Sequence, residues 1–173
     1  MKIKNIEIKA TYDDHDNARI ILKSENADFK YIDFQVDTYF VVKNGRLKLR
    51  ESQIENSLIY YNREDKRDPK KSNAIICKNP DFLLKNSLIN SLEILIKIEK
   101  KREIYIFHNV KIHLDEVKDL GCFIEVEAMG KDDDPEDYLL NKCNYFIDLL
   151  NIKKENFVSE SYSDLLIKKS IQK

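Results

Sequence analysis

Apolar and polar residues alternate along much of this 173-residue chain, and a period of two predicts strands. In Lys4 to Ala10, Asn5, Glu7 and Lys9 share one face and Ile6 and Ile8 the other. Phe34 to Val42 sets Gln35, Asp37 and Tyr39 against Phe34, Val36 and Phe40. Asn44-Gly45 then predicts a two-residue hairpin into G-R-L-K-L-R-E, where Arg46, Lys48 and Arg50 oppose Leu47 and Leu49. A fourth strand covers Leu58 to Glu64 with Tyr61 and Arg63 in step, and Ala74 to Cys77 is a short fifth strand or an extended link. Lys97 to Phe107 reads as a sixth, its period blurred by the consecutive charges from Glu99 to Glu103. Asn109 to Glu127 supplies the last two, with Lys111, His113 and Asp115 on one face and, past a turn at Leu120-Gly121, Phe123, Glu125 and Glu127 on one face.

Period 3.6 appears between the strands. Asp13 or Asp14 caps a short helix that turns Ala18, Ile21 and Leu22 to a core, with His15 as a solvated neighbour of the cap. Asn79-Pro80 opens a packing helix carrying Leu84, Leu88 and Leu92. Asp134-Pro135 opens another with Leu139, Cys143, Phe146 and Leu150 inward. A docked terminal helix bears Leu165, Leu166 and Ile171. The link D-K-R-D-P-K-K-S-N is polar and turn-rich, so its Lys70 and Lys71 either solvate a loop or fold over a ligand.

Composition narrows the reading by exclusion. Length fits one domain over 1–173, and a formal net charge of -1 from 30 basic and 31 acidic residues offers no global field for nucleic acid or a membrane surface. Cys77, Cys122 and Cys143 are odd in number with no C-x-x-C pair, which argues against a disulfide framework and a zinc site and fits a reducing cytoplasm. The N-terminus lacks the apolar core of a signal peptide, and no window approaches the roughly twenty apolar residues that span a bilayer.

Most of the eight strands thus pair an aliphatic face with a polar face of mixed charge. Either an open sheet packs its apolar face on helices and wets the other, or the sheet closes into a barrel with helices outside and charges inside. A closed version is tolerable only if cations and carboxylates compensate one another through water, ligand and metal. The inventory suits that: Lys9, Arg46, Lys48, Arg50, Arg63, Lys100, Arg102 and Lys111 could grip a polyphosphate, and Glu7, Asp115, Glu125 and Glu127 could hold hard divalent cations.

Taken in order, N-I-E-I-K-A, Q-V-D-T-Y-F, G-R-L-K-L-R-E, L-I-Y-Y-N-R-E-D, P-K-K-S, K-K-R-E-I-Y, K-I-H-L-D-E-V-K-D-L-G-C-F-I-E-V-E and S-Y-S-D-L-L resemble the CYTH superfamily, the triphosphate tunnel metalloenzymes. The nearest branch looks like the class IV adenylate cyclases and thiamine-triphosphatase-like proteins. The resemblance implies a mainly antiparallel β fold with α: an eight-stranded closed barrel, helices packed outside, binding a triphosphate with Mg2+ or Mn2+. The family's E-x-E-x-K falls on Asn5, Glu7 and Lys9, so the first Glu is absent. By the same resemblance, Arg46, Lys48, Arg50, Arg63, Lys70, Lys100 and Arg102 bind phosphate, and Asp115, Glu125 and Glu127 bind metal, with Glu7, Lys9, Asp115 and Glu125 catalytic. Ser161 and Tyr162 lie in the tail motif without an assigned step.

Expected first is a metal-dependent triphosphatase acting on a nucleoside, thiamine or inorganic triphosphate. The alternative is an adenylate cyclase forming cyclic AMP and pyrophosphate, and a third reading is a non-catalytic polyphosphate-binding module. Expected partners are the small-molecule triphosphate alone, with no nucleic acid or membrane, in a cytoplasmic monomer or homodimer.

Overall fold

The computed structural model describes residues 2–54, 56–62, 70–131 and 133–172, with the side chains of 2–4 and 70–73 left aside. Among the described residues eight strands and four α-helices follow in the order β1 (Lys2–Thr11), α1 (His15–Ser24), β2 (Asp28–Phe40), β3 (Arg46–Glu51), β4 (Ser57–Asn62), β5 (Lys70–Lys78), α2 (Phe82–Ser91), β6 (Ile94–Phe107), β7 (Val110–Val117), β8 (Gly121–Gly130), α3 (Glu136–Leu149) and α4 (Tyr162–Ile171). Every neighbouring pair is antiparallel in the order β1-β5-β4-β3-β2-β6-β7-β8, and β8 pairs back onto β1, closing the barrel. The closed arrangement is therefore the one this chain adopts, and its period of two sends the charged faces inward.

Register sets several opposite charges face to face, while Glu7 stands opposite Glu127. Lys9 stands opposite Glu125, Lys111 opposite Glu127 and Arg102 opposite Asp115, while Asp37 faces Arg50. The aliphatic faces of β1, β7 and β8 turn outward to α1 and α3, forming a core of Ile6, Ile8, Ile112, Leu114, Ile124, Val126, Leu22, Leu139, Cys143 and Phe146. A second, smaller cluster of Tyr39, Ile59, Tyr61, Ile98, Val117, Phe123 and Tyr162 fills one end of the barrel, under Leu165 and Leu166 of α4. That helix begins with a capping box in which Ser161 and Asp164 satisfy each other's backbone donors.

Several expectations are corrected. The Asn44-Gly45 signal marks the end of a longer connection, 41–45, with Gly45 at φ 66°. Of the two readings of Ala74 to Cys77, the strand is the one adopted, and it is longer than expected: it spans nine residues and takes in Lys70 and Lys71 from the polar connection. Asp81, not Asn79, caps α2, and Asn79 takes a left-handed φ of 49°. Moreover α2 buries no residue, and Phe82 is 72% exposed, so it is not a packing helix. Asp134 accepts the Lys131 N–H in the preceding turn instead of capping α3. Helices cover only part of the barrel, since Phe34 on the outer face of β2 is 70% exposed, and Ile171 is exposed at the end of α4. His15 is buried, its Nε2 standing 3.1 Å from the Phe123 carbonyl oxygen of β8.

Gly130, at the end of β8, sits where α3 crosses closest: a Cβ there would lie 2.5 Å from Leu139 Cδ1, and Leu139 is fully buried. Gly130→Ala is expected to destabilise the fold by about 1–3 kcal/mol through overpacking, measured by urea unfolding. An unchanged midpoint would mean α3 can shift freely on the barrel.

Candidate active site

The barrel encloses a cavity of about 250 Å3 whose walls include Glu7, Lys9, Lys48, Arg50, Lys100, Arg102, Lys111, His113, Glu125 and Glu127. Each projects inward because it occupies the polar phase of its strand. Two ionic groups organise them.

The first gathers on Asp37 of β2. Arg50 donates to both carboxylate oxygens, at 2.7 and 2.9 Å, Lys48 Nζ lies at 2.9 Å and Lys100 Nζ at 2.8 Å. Burial alone would raise the Asp37 carboxyl, but Arg50, Lys100 and Lys48 outweigh it and hold the group well below the usual range. Burial and the neighbouring Arg50 lower Lys48 to about 8, and act in the same direction on Lys100.

The second group centres on Arg102 of β6. It donates to Asp115 at 2.6 and 2.5 Å and to Glu125 at 2.6 Å, and Lys9 Nζ approaches Glu125 at 3.4 Å. Burial opposes the charge of Glu125, yet Arg102, Lys9 and His113 keep its carboxyl well below normal. Burial lowers His113, with Arg102 adding to the effect, so its ring is neutral near pH 7.

Tyr162 joins the second group from α4. Its hydroxyl donates to Asp115 at 2.7 Å, and its ring lies under Lys9 Nζ, 4.0 Å from the centroid. With Ser161 it lines the cavity, so α4 closes that end. Arg46 Nη2 donates to Asp164 at 2.7 Å and ties α4 to β3.

The expected site residues are thus largely brought together, with exceptions. Arg46 and Asp115 do not line the cavity: the first is turned to Asp164, the second lies fully buried behind Arg102 and Tyr162. Arg63 lies outside the described residues; Lys70 stands opposite Glu7 in register, its side chain left aside. The sequence puts Asp37 on the polar face without showing that it collects three cations, and places Tyr162 in the tail motif with no assigned step. The signal for Asp37 was present: Arg46, Lys48 and Arg50 on one strand need an anion between them, and an adjacent strand offered one.

As for a metal, no three ligating side chains among the described residues already converge on one point. The donor chemistry nevertheless fits a hard divalent cation. Glu7, Glu125 and Glu127 share one wall, and Asn5, which donates to Glu127, leaves its buried Oδ1 without a partner. Among the described residues no helix is long and apolar enough to cross a membrane.

Comparison with known proteins agrees with this geometry. A provisionally named adenylate cyclase of Methanocaldococcus jannaschii is 27% identical over 171 residues, covering 92% of this chain and 97% of that one. Among solved structures, the PH1012 protein of Pyrococcus horikoshii superposes with a TM-score of 0.76 at 21% identity, covering 93% of this chain and 98% of that one. A Hippeastrum protein, named as an adenylyl cyclase and described as having a dominant triphosphatase activity, gives 0.59 at 11% identity, with 97% and 95% covered. The model of the CYTH domain matches residues 4–162, nearly the whole barrel and the start of α4, and this chain belongs to the CYTH domain family.

Proposed function

We propose that this enzyme is a divalent-metal-dependent triphosphatase that hydrolyses a nucleoside, thiamine or inorganic triphosphate inside the barrel. The observation that carries the reading is a cavity lined by Lys9, Lys48, Arg50, Lys100 and Arg102, their charges held in place by the chain's own carboxylates. Cavities for drug-sized ligands run from about 300 Å3 upward. A space of about 250 Å3 suits a phosphate chain, with any organic group at the mouth away from Tyr162.

Phosphoryl transfer gains most from positioning and from stabilising charge on the equatorial and leaving oxygens. Lys48, Arg50 and Lys100 take the non-bridging oxygens on the β2–β3–β6 side, exchanging Asp37 for phosphate. Arg102 and Lys9 neutralise charge developing on the leaving diphosphate. The Mg2+ or Mn2+ of the family would be held by Glu7, Glu125 and Glu127 with the Asn5 amide, and when bound it supplies positive charge beside the phosphorus and acidifies water. Tyr162 and Ser161 close one end against bulk solvent.

Purified protein with Mg2+ or Mn2+, given ATP, thiamine triphosphate or tripolyphosphate in parallel, is expected to release orthophosphate. Cyclic AMP with pyrophosphate from ATP alone would replace this reading by the cyclase that relatives' names suggest.

Lys48 adds a pH dependence. It is cationic below about 8, so tripolyphosphate affinity should weaken as pH rises through that value. Flat affinity from pH 7 to 9, measured by calorimetry, would remove Lys48 from the phosphate seat.

A further inference from the structure

Among the described residues, the buried side-chain atoms without a hydrogen-bond partner are Asn5 Oδ1, Gln35 Oε1 and His113 Nδ1. Gln35 donates its amide nitrogen to Asp33 on β2, away from Glu7, Glu125 and Glu127 of β1 and β8. The other two sit on the acid-bearing wall of β1, β7 and β8, and both residues line the cavity. Leaving a ring nitrogen and an amide oxygen buried and unpaired is costly, and a ligand from outside removes the cost.

His113 stands opposite Glu125 in register, and its Nδ1 lies 3.5 Å from Glu125 Oε2. That separation exceeds the roughly 2.7–3.2 Å of an ordinary hydrogen bond. It does match two ligands of one ion: with bonds of about 2.1 Å, neighbouring ligand atoms stand roughly 3.0–3.5 Å apart. With its proton on Nε2 the ring turns a lone pair toward the carboxylate, an arrangement a cation relieves. Glu127, two residues further along β8, stands opposite Glu7 of β1 and accepts from the Asn5 amide. Rotating that amide would present Oδ1 to a cation on Glu127.

Carboxylate and amide oxygens alone make a hard site suited to Mg2+, whereas an imidazole shifts preference toward first-row transition ions. We propose that His113 Nδ1 is a metal ligand beside Glu125 and Glu127, and that this wall takes Mn2+ or a related transition ion in preference to Mg2+. The inference rests on the reading of this wall as the metal-bearing side of a triphosphatase. His113 then fills, from β7, part of the place left by Asn5 on β1.

The test is pulsed EPR of Mn2+ bound to the full chain with tripolyphosphate. A 14N coupling is expected, replaced by 15N when the protein carries 15N-histidine, retained in His108→Gln and lost in His113→Gln. Mn2+ affinity should fall about tenfold or more in His113→Gln, and Mg2+ affinity, measured by competition, by less than about threefold. An oxygen-and-phosphorus spectrum from the wild-type chain, no bound Mn2+, or equal losses for both ions would overturn the proposal. The labelled wild-type spectrum decides even if His113→Gln fails to fold. Orthophosphate release with an oxygen-only spectrum would sink the nitrogen ligand alone, whereas absence of hydrolysis would sink the triphosphatase reading.

Discussion

Replacing Asp37 by Asn is expected to lower the stability of the fold by about 3–5 kcal/mol, the usual consequence of removing one partner from a buried ionic group. Asp37 is 1% exposed and accepts from Arg50, Lys48 and Lys100 at 2.7–2.9 Å. Asn keeps the shape and loses the charge, so three cations would share a neutral amide in a poorly solvated space. The same contacts hold the Asp37 carboxyl well below its usual range. Its stabilisation is therefore complete above the unfolded value of about 3.9 and is lost as pH falls through the depressed folded value. Tripolyphosphate, if it occupies this seat, supplies the missing negative charge. Its addition should raise the melting temperature of Asp37→Asn more than that of the wild-type protein. Equal shifts would place the polyanion elsewhere, and an unchanged unfolding free energy would mean that the cations find other partners.

The distinction between these two ionic groups was only half visible in the sequence. Period-two alternation fixed which faces of β1, β2, β3, β7 and β8 turn inward, because side-chain direction is a local property of a strand. Closure was not local: it depends on β8 meeting β1, and only the inventory of compensating charges and the family resemblance favoured it over an open sheet. Pairing of charges was less legible still. Arg46 looked equivalent to Lys48 and Arg50 on one strand face, yet it is drawn to Asp164, 118 residues away. Tyr162 reaches Asp115 only because the tail folds back over the barrel, with the Val158 N–H donating to the Lys9 carbonyl at 2.8 Å. The error at α2 has a different cause. Leu84, Leu88 and Leu92 recur at helical spacing, but a stripe states that a helix has an apolar side and not that something covers it.

Glu125→Gln should abolish turnover, by at least about a hundredfold in kcat, while leaving the fold intact. Its effect differs from that of Asp37→Asn because its partners have alternatives. Arg102 keeps its two hydrogen bonds to Asp115, and Lys9 keeps the Tyr162 ring and the Glu160 carbonyl oxygen, 3.2 Å from its Nζ. The melting temperature should therefore move by only a few degrees. What disappears is a carboxylate on the cavity wall, 22% exposed at its side chain, within reach of Arg102, Lys9 and His113. On the proposed reading, loss of that charge removes a ligand from a divalent cation and a competitor from the cations that would bind phosphate. Tripolyphosphate should accordingly bind Glu125→Gln at least as tightly as the wild type in the absence of metal, and metal should no longer tighten it. Steady-state hydrolysis and calorimetry with and without Mn2+ separate these effects. Wild-type turnover in Glu125→Gln would remove the residue from the chemistry. A metal-independent loss of tripolyphosphate affinity would instead assign it to holding Arg102 and Lys9 in place.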